Sequence, residues 1–374
     1  MISFKIFCNA FAFLTVREET TCMKRFLFIF STYFLAYSCA GQDISAEQRD
    51  KNTIRICFYN LENFFDYEKN PKKNDGDFTP EGSYRWTKTR FEKKAKNIAK
   101  VFAAIGQWSL PEIIGVCEIE NETAIRYLLY NTSLAAEKYK YVYYESPDIR
   151  GINVSLFYRT DKFRMICSYP IPIKDSLNPA FKTRDILYVQ GVLVPDCEDT
   201  LHLFVNHWPS RYGGYAATIS KRNLAAATLR LKVDSLLLIN PHTRILIMGD
   251  FNDYPDDESI TSYLRASDTT DYKDGNLINT MFPYLKKNSI GTHKYRQQWG
   301  ILDQFIVSSG LYYSQNGLRT TTTGIIFSSD FLLENDNKDM GKKPFRTYSG
   351  RRYIGGFSDH LPIYIDLKCG KNEK

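Results

Sequence analysis

The segment Phe357–Leu367 reads FSDHLPIYIDL, a polar turn that runs into a strand. From Ile363 to Leu367 aliphatic residues alternate with Tyr and Asp, the period-2 pattern of a strand with one buried face. A carboxylate and an imidazole, Asp359 and His360, stand directly before that strand. The pattern explains the strand but not the pair, which therefore needs a role beyond packing.

The 374 residues are 43% hydrophobic and 15% aromatic, enough apolar material for a sizeable core. No linker rich in Pro, Gly or Ser divides residues 51–369, which we interpret as one domain. The formal net charge is +7, and +5 for residues 41–374, because residues 1–40 hold four Lys or Arg and two Asp or Glu. This mild basic excess suits a phosphate-bearing substrate and suits a solvated basic surface equally well.

The stretch MKRFLFIFSTYFLAYSCAGQ has the form of a signal peptide, with two basic residues, a short apolar run and then small residues. Residues 1–40 are therefore expected to be an extended N-terminus and a signal peptide, with Met23 as the true start and cleavage after Ala40. Residues 41–50 are polar and predict a linker. The apolar run is too short to span a membrane comfortably, so we expect export without stable membrane insertion. A lipid anchor on Cys39 is the less favoured alternative.

Strand-like and helix-like stretches alternate along the rest of the chain. Two amphipathic helices are predicted, one in TKTRFEKKAKNIAKVFAAIG, which ends at Gly106, and one in KRNLAAATLRLKVDSLLL. Strands are predicted in TIRICFY, EIIGVCEIEN, YKYVYYES, NVSLFYR, DILYVQGVLV, LHLFVNHW, RILIMGD, GILDQFIVS and LPIYIDL, with a hairpin turn at PDCED. This order predicts one domain of mixed strands and helices.

Polar side chains collect where the predicted strands end. A single carboxylate at a strand end is usually a cap or a surface group. A repeated pattern of the residue types used in metal-assisted hydrolysis is hard to explain that way. Glu120, two residues after Glu118, is expected to face the same way. The positions concerned are Asn60, Glu118, His207, Asp250, Asn252, Asp253, Asp303, Asp359 and His360.

A hard divalent cation such as Mg²⁺ prefers oxygen ligands and keeps several waters, so a few carboxylate or amide oxygens suffice to bind it. Glu118 fits that role, with Asn60 and Asp359 as further candidates. The spacing does not suit zinc, because the chain has no His-x-x-x-His motif and no cysteine cluster.

Hydrolysis of a phosphate ester needs a base to activate water and donors to hold the developing charge. His360, His207 and Asn252 are groups of the right type, and Asp303 could hold the His360 imidazole in one tautomer. Either His360 or Asp250 would deprotonate the attacking water. The ordinary pKa of a histidine, about 6.5, slightly favours His360.

The remaining cysteines and histidines carry no strong functional signal. Cys57 and Cys117 fall in apolar strands and are expected to be buried thiols. Export permits a disulfide, and Cys167–Cys197 is the expected pair. Surface or hydrogen-bonded side chains are expected for the other histidines, His202, His242 and His293.

Six motifs occur in one order along residues 54–368: FYNLENFFD, GVCEIEN, NHWPSR, MGDFND, GILDQFIVS and FSDHLP. With these motifs the chain resembles the endonuclease/exonuclease/phosphatase superfamily, which includes deoxyribonuclease I, apurinic/apyrimidinic endonucleases, bacterial sphingomyelinases and inositol polyphosphate 5-phosphatases. The branch it looks most similar to holds exported bacterial nuclease-like proteins. The resemblance implies an α/β fold, a four-layer sandwich of two packed, largely antiparallel sheets flanked by helices, with an active site at one end.

The resemblance also implies roles for individual residues. Glu118 matches the principal metal ligand, Asn60 lies beside it, and Asp359 matches a metal-side or water-orienting carboxylate. Catalytic positions of the family match His207, Asp250, Asn252, Asp303 and His360. Asn252 also matches a phosphate contact, so it is a candidate for substrate binding as well.

Further substrate contacts are expected around this set. Arg150, in the family's D-x-R-G run at residues 148–151, is expected to contact substrate or to form a structural salt bridge. Asn153 departs from the pattern, because related sequences often have Asp there. Basic residues in SRYGGYAATISKR, which includes Arg211, and in GKKPFRTYSGRRY suit phosphate binding and base stacking. Solvated loops explain each run alone equally well.

Together these features predict an exported, metal-dependent phosphodiesterase, with an endonuclease that hydrolyses nucleic acid by in-line attack of water as the favoured reading. Mg²⁺ or Mn²⁺ is the expected cofactor, nucleic acid or another phosphoester the expected substrate, and a monomer the expected state. Two alternatives stay open: a secreted phosphatase or sphingomyelinase-like lipid phosphodiesterase, and a non-catalytic binding protein on the same fold.

Overall fold

Two sheets packed face to face form the centre of the computed structural model. The structure describes residues 52–107, 109–194, 197–268, 275–286, 290–314, 316–320 and 323–370. The predicted signal peptide and linker, residues 1–50, lie outside the described residues. Among the described residues, no helix has both the length and the apolar character needed to cross a membrane.

The strands in chain order are β1 (Thr53–Phe64), β2 (Ile113–Ile119), β3 (Tyr139–Tyr143), β4 (Asn153–Arg159), β5 (Phe163–Ile171), β6 (Ile186–Leu193), β7 (Thr200–His207), β8 (Ile245–Asp250), β9 (Ala266–Ser267), β10 (Leu277–Asn279), β11 (His293–Tyr295), β12 (Gln298–Gly300), β13 (Asp303–Ser308), β14 (Gly317–Thr320), β15 (Ile325–Ile326), β16 (Leu333–Asn335), β17 (Lys342–Pro344), β18 (Tyr348–Ser349), β19 (Arg352–Tyr353) and β20 (Ile363–Gly370). The helices are α1 (Lys88–Gly106), α2 (Glu122–Tyr130), α3 (Tyr215–Ile239), α4 (Phe282–Leu285) and α5 (Ser309–Tyr312).

Each main sheet has seven strands and is largely antiparallel. The first sheet runs in the order β14-β20-β1-β2-β4-β3, with β15 beside β20, and the second runs β5-β6-β7-β8-β13-β10-β9. The parallel pairs are β1–β2, β7–β8 and β9–β10. Strand β5 and helix α2 have no counterpart among the elements predicted from the sequence.

Helices cover the outer faces of both sheets. On α1 the ring of Phe102 meets Tyr59 of β1 edge-on, with ring centroids 6.2 Å apart. On the other side, α3 buries Leu229 and Val233 in a core shared with Ile247 of β8. The result is a helix–sheet–sheet–helix arrangement, which confirms the predicted four-layer sandwich.

Strand alternation decides where the polar residues meet. On β8, Met248 packs in the core between the sheets, while Ile247 faces α3. Asp250, two residues after Met248, is therefore the next position on the inner face. The same alternation places His207 at the inner end of β7 and Asp303 at the inner start of β13. These side chains lie at one end of the gap between the sheets.

A close approach of the two sheets requires glycine at position 115. A Cβ atom there would lie 2.6 Å from the Met248 sulfur, well inside van der Waals contact. Gly115 therefore lies on the inner face of β2, and so does Cys117. The β1–β2 register pairs Cys117 with Asn60, so Asn60 faces the second sheet.

The expected disulfide Cys167–Cys197 is wrong, because the structure joins Cys197 to Cys369. Cys167 lies along edge strand β5, opposite Gln190 of β6, and its thiol is free. Cys197 lies in the turn between β6 and β7, beside the end of β20. The bond therefore ties the turn of the second sheet to the last strand of the first. Cys57 and Cys117 are free and buried, as expected.

Candidate active site

Asp250, Asp303 and His360 form a buried row at the end of the sandwich. Antiparallel pairing of β8 with β13 puts Asp250 opposite Asp303. Nδ1 of His360 is 2.7 Å from Asp303 Oδ2, and its Nε2 is 3.8 Å from Asp250 Oδ2. Ser358 fixes the turn, since its Oγ accepts the His360 N–H at 3.1 Å and donates to the Asn60 carbonyl at 2.7 Å.

The row holds an unusual charge distribution. Burial raises the pKa of Asp250 to about 7, although the nearby His360 opposes that shift. Burial alone would lower the pKa of His360, but Asp303 and Asp250 outweigh it and hold that pKa well above its usual range. Because Asp250 and His360 are neighbours, they take up and release protons as a pair.

Glu118 enters the site through an irregularity in two strands. The regular pairing of β1 with β2 breaks between Asn60 and Phe64, and the pairing of β2 with β4 breaks around Glu118. Strand alternation from the inner-face Gly115 would otherwise turn Glu118 towards the helix side. The bulge brings its carboxylate to the Asn63 N–H at 2.7 Å and to the Asn60 amide at 3.4 Å.

Left-handed backbone is concentrated at this end of the sheets. Such a conformation costs a residue with a Cβ atom roughly 1 kcal/mol, and Asn tolerates it better than Glu. The strain lies in the turns that present the polar side chains, which indicates a functional reason for it. The residues are Glu62 (φ +48°), Asn63 (+52°), Glu118 (+59°) and Asn252 (+52°).

His207 lies between the carboxylates of the two sheets. Its Nε2 is 3.7 Å from Asp250 Oδ2 and 3.8 Å from Glu118 Oε1. The Asn60 amide donates to the same Asp250 oxygen at 3.0 Å. Burial, together with the charge of Arg184, holds the pKa of His207 well below its usual range, so the imidazole is neutral. Arg184 also donates to the His207 carbonyl at 3.1 Å, which fixes the strand end.

Asp359 lies on the other side of the site in a network of charges. Arg346 donates from Nη2 to Asp359 and from Nε to Glu62, each at 3.0 Å. Buried Lys94 lies 3.8 Å from the second Glu62 oxygen, which also accepts the Thr347 N–H at 2.7 Å. The predicted metal ligand Asp359 is therefore already engaged by a guanidinium.

The charges on this side shift two carboxyl groups in opposite directions. Burial would raise the pKa of Asp359, but Arg346 and His360 outweigh it and lower that pKa to about 2. Burial and the nearby Asp359 raise the pKa of Glu62, against the opposing charges of Lys94 and Arg346. The neighbouring positive charges therefore outweigh the effect of burial at Asp359 but offset it only in part at Glu62.

Asn252 and Arg211 are brought together beside the row. The Asn252 N–H donates to Asp250 Oδ1 at 3.0 Å, and its side-chain amide donates to the Trp208 carbonyl at 3.1 Å. Arg211 Nε donates to the Asn252 carbonyl at 2.6 Å, while Nη2 bonds Asp253 at 3.0 Å. Arg211 therefore tethers the loop that carries Asn252 instead of projecting freely towards substrate.

Arg150 and Asn153 lie in the loop and strand next to His207. Arg150 pairs with Asp148 at 3.3 Å, and the same oxygen binds Arg184 at 3.0 Å, so the structural salt bridge is present. About half of the Arg150 side chain remains exposed. The Asn153 amide donates to the Glu120 carbonyl at 2.7 Å and to the Tyr143 hydroxyl at 3.0 Å. Asn153 thus supports the interior, which explains why an uncharged side chain fits there.

One sequence-based expectation about neighbouring residues is wrong. Glu120 does not join Glu118, because the bulge disrupts alternation, and its carboxylate accepts the Asp66 N–H at 2.9 Å instead. His293 was expected to be a surface or hydrogen-bonded residue, and its side chain is partly exposed. The β11–β12 hairpin folds over the site, and the rings of His293 and His360 lie 4.8 Å apart.

Sequence reasoning also missed Glu62, Lys94 and Arg346. Glu62 lies inside the motif FYNLENFFD, and Arg346 lies inside the basic run GKKPFRTYSGRRY. Both segments were linked to function from the sequence, so the two residues could have been found there. Lys94 looks like a surface lysine of an amphipathic helix, yet it is buried. The spacing of residues along the helix does not indicate that Lys94 is buried, because its partners come from β1 and from the turn at Thr347.

A family model described as the Endonuclease/Exonuclease/phosphatase family matches residues 55–369 of this chain. The chain belongs to this family. Members of the family are phosphoester hydrolases, so the chain is an enzyme of that type. A search among curated proteins finds no sequence that matches it.

Solved structures with the same fold have low sequence identity to this chain. Humanized TDP2 from D. rerio has 12% identity and a TM-score of 0.52, with 85% of this chain and 99% of that chain covered. A family protein from Bacteroides thetaiotaomicron has 14% identity and a TM-score of 0.52, over 85% and 98%. The mannosyl-6-phosphatase of that bacterium has 14% identity and a TM-score of 0.50, over 84% and 99%. At such identities the likeness establishes the fold.

The donor set between the sheets fits a hard divalent cation. Glu118 and Asp250 direct carboxylate oxygens to within 3.8 Å of the same His207 nitrogen, and among the described contacts no Arg or Lys hydrogen-bonds to either. Two carboxylates that converge without an Arg or Lys partner favour a bound cation. The Cys117 thiol also lies near His207 and Asp250. Burial raises its pKa well above the usual value, so it stays protonated and is a poor ligand.

Proposed function

We propose that this enzyme is an exported, metal-dependent phosphodiesterase that cleaves nucleic acid as an endonuclease and acts as a monomer. The observation that carries the proposal is the Asp250–His360–Asp303 row beside the converging carboxylates of Glu118 and Asp250. Such an arrangement combines a group that accepts a proton with a place for a cation. Metal-assisted hydrolysis of a phosphoester needs both.

In this mechanism water attacks phosphorus in line with the leaving oxygen. The Asp250–His360 pair accepts the proton of the water, and Asp303 keeps His360 Nδ1 occupied so that Nε2 faces the reaction. Neutral His207 and the amide of Asn252 donate hydrogen bonds to phosphoryl oxygens as negative charge develops. The sequence leaves either His360 or Asp250 as the base and slightly favours His360, and we propose the two as a pair because neighbouring titratable groups share the proton.

Glu118 and Asp250, with Asn60 beside them, would hold the Mg²⁺ or Mn²⁺ ion. When bound, the ion supplies polarisation of a phosphate oxygen and stabilisation of the leaving alkoxide. Asp359, which the sequence also places among the ligands, is left out of this set because Arg346 engages it. Its role in the proposal is to orient Arg346.

Three loop tips around the site support a polymeric, base-bearing substrate. Each carries an arginine next to an exposed aromatic or aliphatic side chain, in Ile149–Arg150, Arg211–Tyr212 and Tyr295–Arg296. The first loop is held through Asp148 to Arg184, the second is tied to Asn252, and the third is the tip of the hairpin over His360. The two exposed tyrosines suit stacking with nucleotide bases, and the arginines beside all three tips suit phosphates.

Export is supported by two independent features. The N-terminal sequence has the composition of a signal peptide. The disulfide Cys197–Cys369 is of a kind that persists in an oxidising compartment. We therefore propose a periplasmic or secreted location.

The test is nicking of supercoiled plasmid by the purified protein, with Mg²⁺ or Mn²⁺ and with EDTA. We expect metal-dependent nicking that His360→Ala abolishes. His202→Ala is the matched control. His202 lies away from the site, where it hydrogen-bonds the Tyr188 hydroxyl at 2.7 Å, so this variant should keep full activity. Absence of nicking at high enzyme concentration would reject the endonuclease and favour small or lipid phosphoesters. Turnover by His360→Ala within a few-fold of wild type would reject the assigned role.

A further inference from the structure

We propose that Arg346 is a built-in cation of the active site, which binds a phosphoryl oxygen of the substrate and occupies the place a second metal ion would need. This inference rests on the proposed phosphodiesterase function and adds a substrate-binding residue to it. It also predicts that the enzyme uses a single metal ion, held on the Glu118 and Asp250 side.

The geometry of Arg346 leaves donors free for a ligand. Its Nε and Nη2 each bond one carboxylate, Glu62 and Asp359, at 3.0 Å. Its Nη1 has no hydrogen-bond partner among the described residues, and 42% of the side chain is exposed. The guanidinium is thus held from one side and open on the other. A planar group with N–H donors left over matches a phosphate oxygen well.

The position of this guanidinium relative to the site is defined by its neighbours. Burial opposes the charge, yet Asp359, Glu62 and Glu118 together raise the pKa of Arg346 above its usual range. Glu62, which holds Arg346, is followed by Asn63, whose N–H donates to the Glu118 carboxylate at 2.7 Å. Asp359, the other partner of Arg346, lies in the turn that Ser358 ties to the Asn60 carbonyl at 2.7 Å, so the guanidinium is held by residues of the site.

A rigid support behind Glu62 keeps the guanidinium in place. One oxygen of Glu62 binds Arg346, and the other accepts the Thr347 N–H at 2.7 Å. Lys94, fully buried on α1, donates to the Glu62 carbonyl at 2.5 Å and to the Thr347 hydroxyl at 2.5 Å. Because both Glu62 oxygens are in use, a metal ion would have to displace one of these partners.

Both carboxylates on this side already have a basic partner without a metal. Arg346 bonds Glu62 and Asp359, and Lys94 lies 3.8 Å from Glu62. Adding a divalent ion beside these two basic residues would bring like charges together in a partly buried place, which is costly. On the other side, Glu118 and Asp250 converge on the neutral His207 and have no Arg or Lys partner among the described contacts, while His360 lies 3.8 Å from Asp250. This difference in basic partners assigns one side to a metal and the other to arginine.

Arg346→Gln and Arg346→Lys test the assignment in the full-length protein. We expect Arg346→Gln to raise KM for an oligonucleotide about 10- to 100-fold, because a charged hydrogen bond to phosphate is lost. Arg346→Lys keeps a point charge but cannot span both carboxylates, so its KM should lie in between. Arg159→Gln is the matched control, because Arg159 spans Glu137 at 3.1 Å and Asp161 at 2.9 Å at the far end of β4.

A count of bound Mn²⁺ by electron paramagnetic resonance gives a readout independent of activity. We expect one ion per chain in the wild type and in Arg159→Gln, and a second, weaker ion in Arg346→Gln, where the carboxylates are released. Two tight ions in the wild type, or an unchanged KM in Arg346→Gln, would overturn the inference. If Arg346→Gln does not fold, the KM of Arg346→Lys decides in its place. An enzyme inactive on every phosphoester would reject the proposed function, while the Mn²⁺ count would still judge the single-metal site.

Discussion

Two carboxylates of the active site, Asp250 and Asp359, show how neighbours decide what a buried acid does. Both lie within a short distance of His360, yet the pKa of Asp250 rises to about 7 and that of Asp359 falls to about 2. Burial dominates at Asp250, which has no Arg or Lys bonded to it among the described contacts. Arg346 outweighs burial at Asp359, because its guanidinium is 3.0 Å away. The first is suited to exchange protons or bind a cation, and the second to hold an arginine.

Of the three Asp→Asn variants, Asp250→Asn should have the largest effect on the rate of hydrolysis. We expect kcat to fall about 10³-fold or more, because the Asp250–His360 pair can no longer accept the proton and a metal ligand is weakened. Plasmid nicking and oligonucleotide turnover measure this. Asp161→Asn, on an exposed ion pair with Arg159, is the control and should retain wild-type kcat.

The same variant should be more stable than the wild type in EDTA. A carboxyl whose folded pKa of about 7 exceeds its unfolded value of about 3.9 disfavours folding wherever it is ionised. The cost grows as pH rises from about 4 and is complete above about 7. We expect the free energy of unfolding of Asp250→Asn to exceed that of wild type by about 1–2 kcal/mol at pH 8, with no gain at pH 4. Urea unfolding at both values checks it, and a gain at pH 4 would contradict the explanation.

Asp303→Asn should have the next largest effect. The carboxylate of Asp303 is the strongest influence that raises the pKa of His360, and it orients the ring through Nδ1. We expect kcat to fall about 10²-fold and the His360 pKa to drop, as seen by NMR titration of the imidazole. An unchanged His360 pKa would show that Asp303 acts only by packing.

Asp359→Asn should have the smallest effect on rate. If this carboxylate only orients Arg346, we expect kcat/KM to fall about tenfold, far less than for Asp250→Asn. A loss as large as that of Asp250→Asn would mean that Asp359 binds the metal itself. Paired kcat and KM measurements on one oligonucleotide would decide, with the loss expected mainly in KM.

The dependence of stability on acid pH provides a second test of the difference between Asp250 and Asp359. Because the folded pKa of Asp359 is about 2, below its unfolded value, the Asp359–Arg346 pair stabilises the fold above pH 4. That contribution is lost as pH falls from about 4 to 2. A quarter of the Asp359 side chain is exposed, so we expect only about 1 kcal/mol. Thermal unfolding at pH 7 and pH 2.5 should show a difference between wild type and Asp359→Asn that becomes much smaller at the lower pH.

Much of the fold followed from local pattern. The continuous apolar run of β8, the alternation along β20 and the amphipathic spacing along α1 depend on residues close in sequence, so these elements were predicted correctly. His202 was expected to be a surface or hydrogen-bonded histidine, and it hydrogen-bonds Tyr188. The polar residues at strand ends were predicted to carry function because function concentrates where a rigid scaffold presents loops.

The wrong disulfide pairing and the missed contact of His293 have a common cause in long-range packing. The pairing Cys167–Cys197 was chosen from segments near in sequence, whereas the turn at Cys197 meets the distant end of β20. His293 reaches His360 only because a two-stranded hairpin folds across the site. Neither contact can be predicted from the local sequence pattern, because the periodicity of apolar residues does not show which distant segment a residue will pack against.

The sequence by itself determined the layered fold, the family and the identity of most side chains at the site, because alternation and motif order are properties of the chain. Only the tertiary structure decided what those side chains do. A bulge with left-handed backbone turned Glu118 inward. Arg346 and Lys94, from distant segments, pair with Glu62 and Asp359 and leave Glu118 and Asp250 without an arginine or lysine partner among the described contacts. Electrostatic roles depend on distances of a few ångströms between residues far apart in sequence, and packing alone sets those distances.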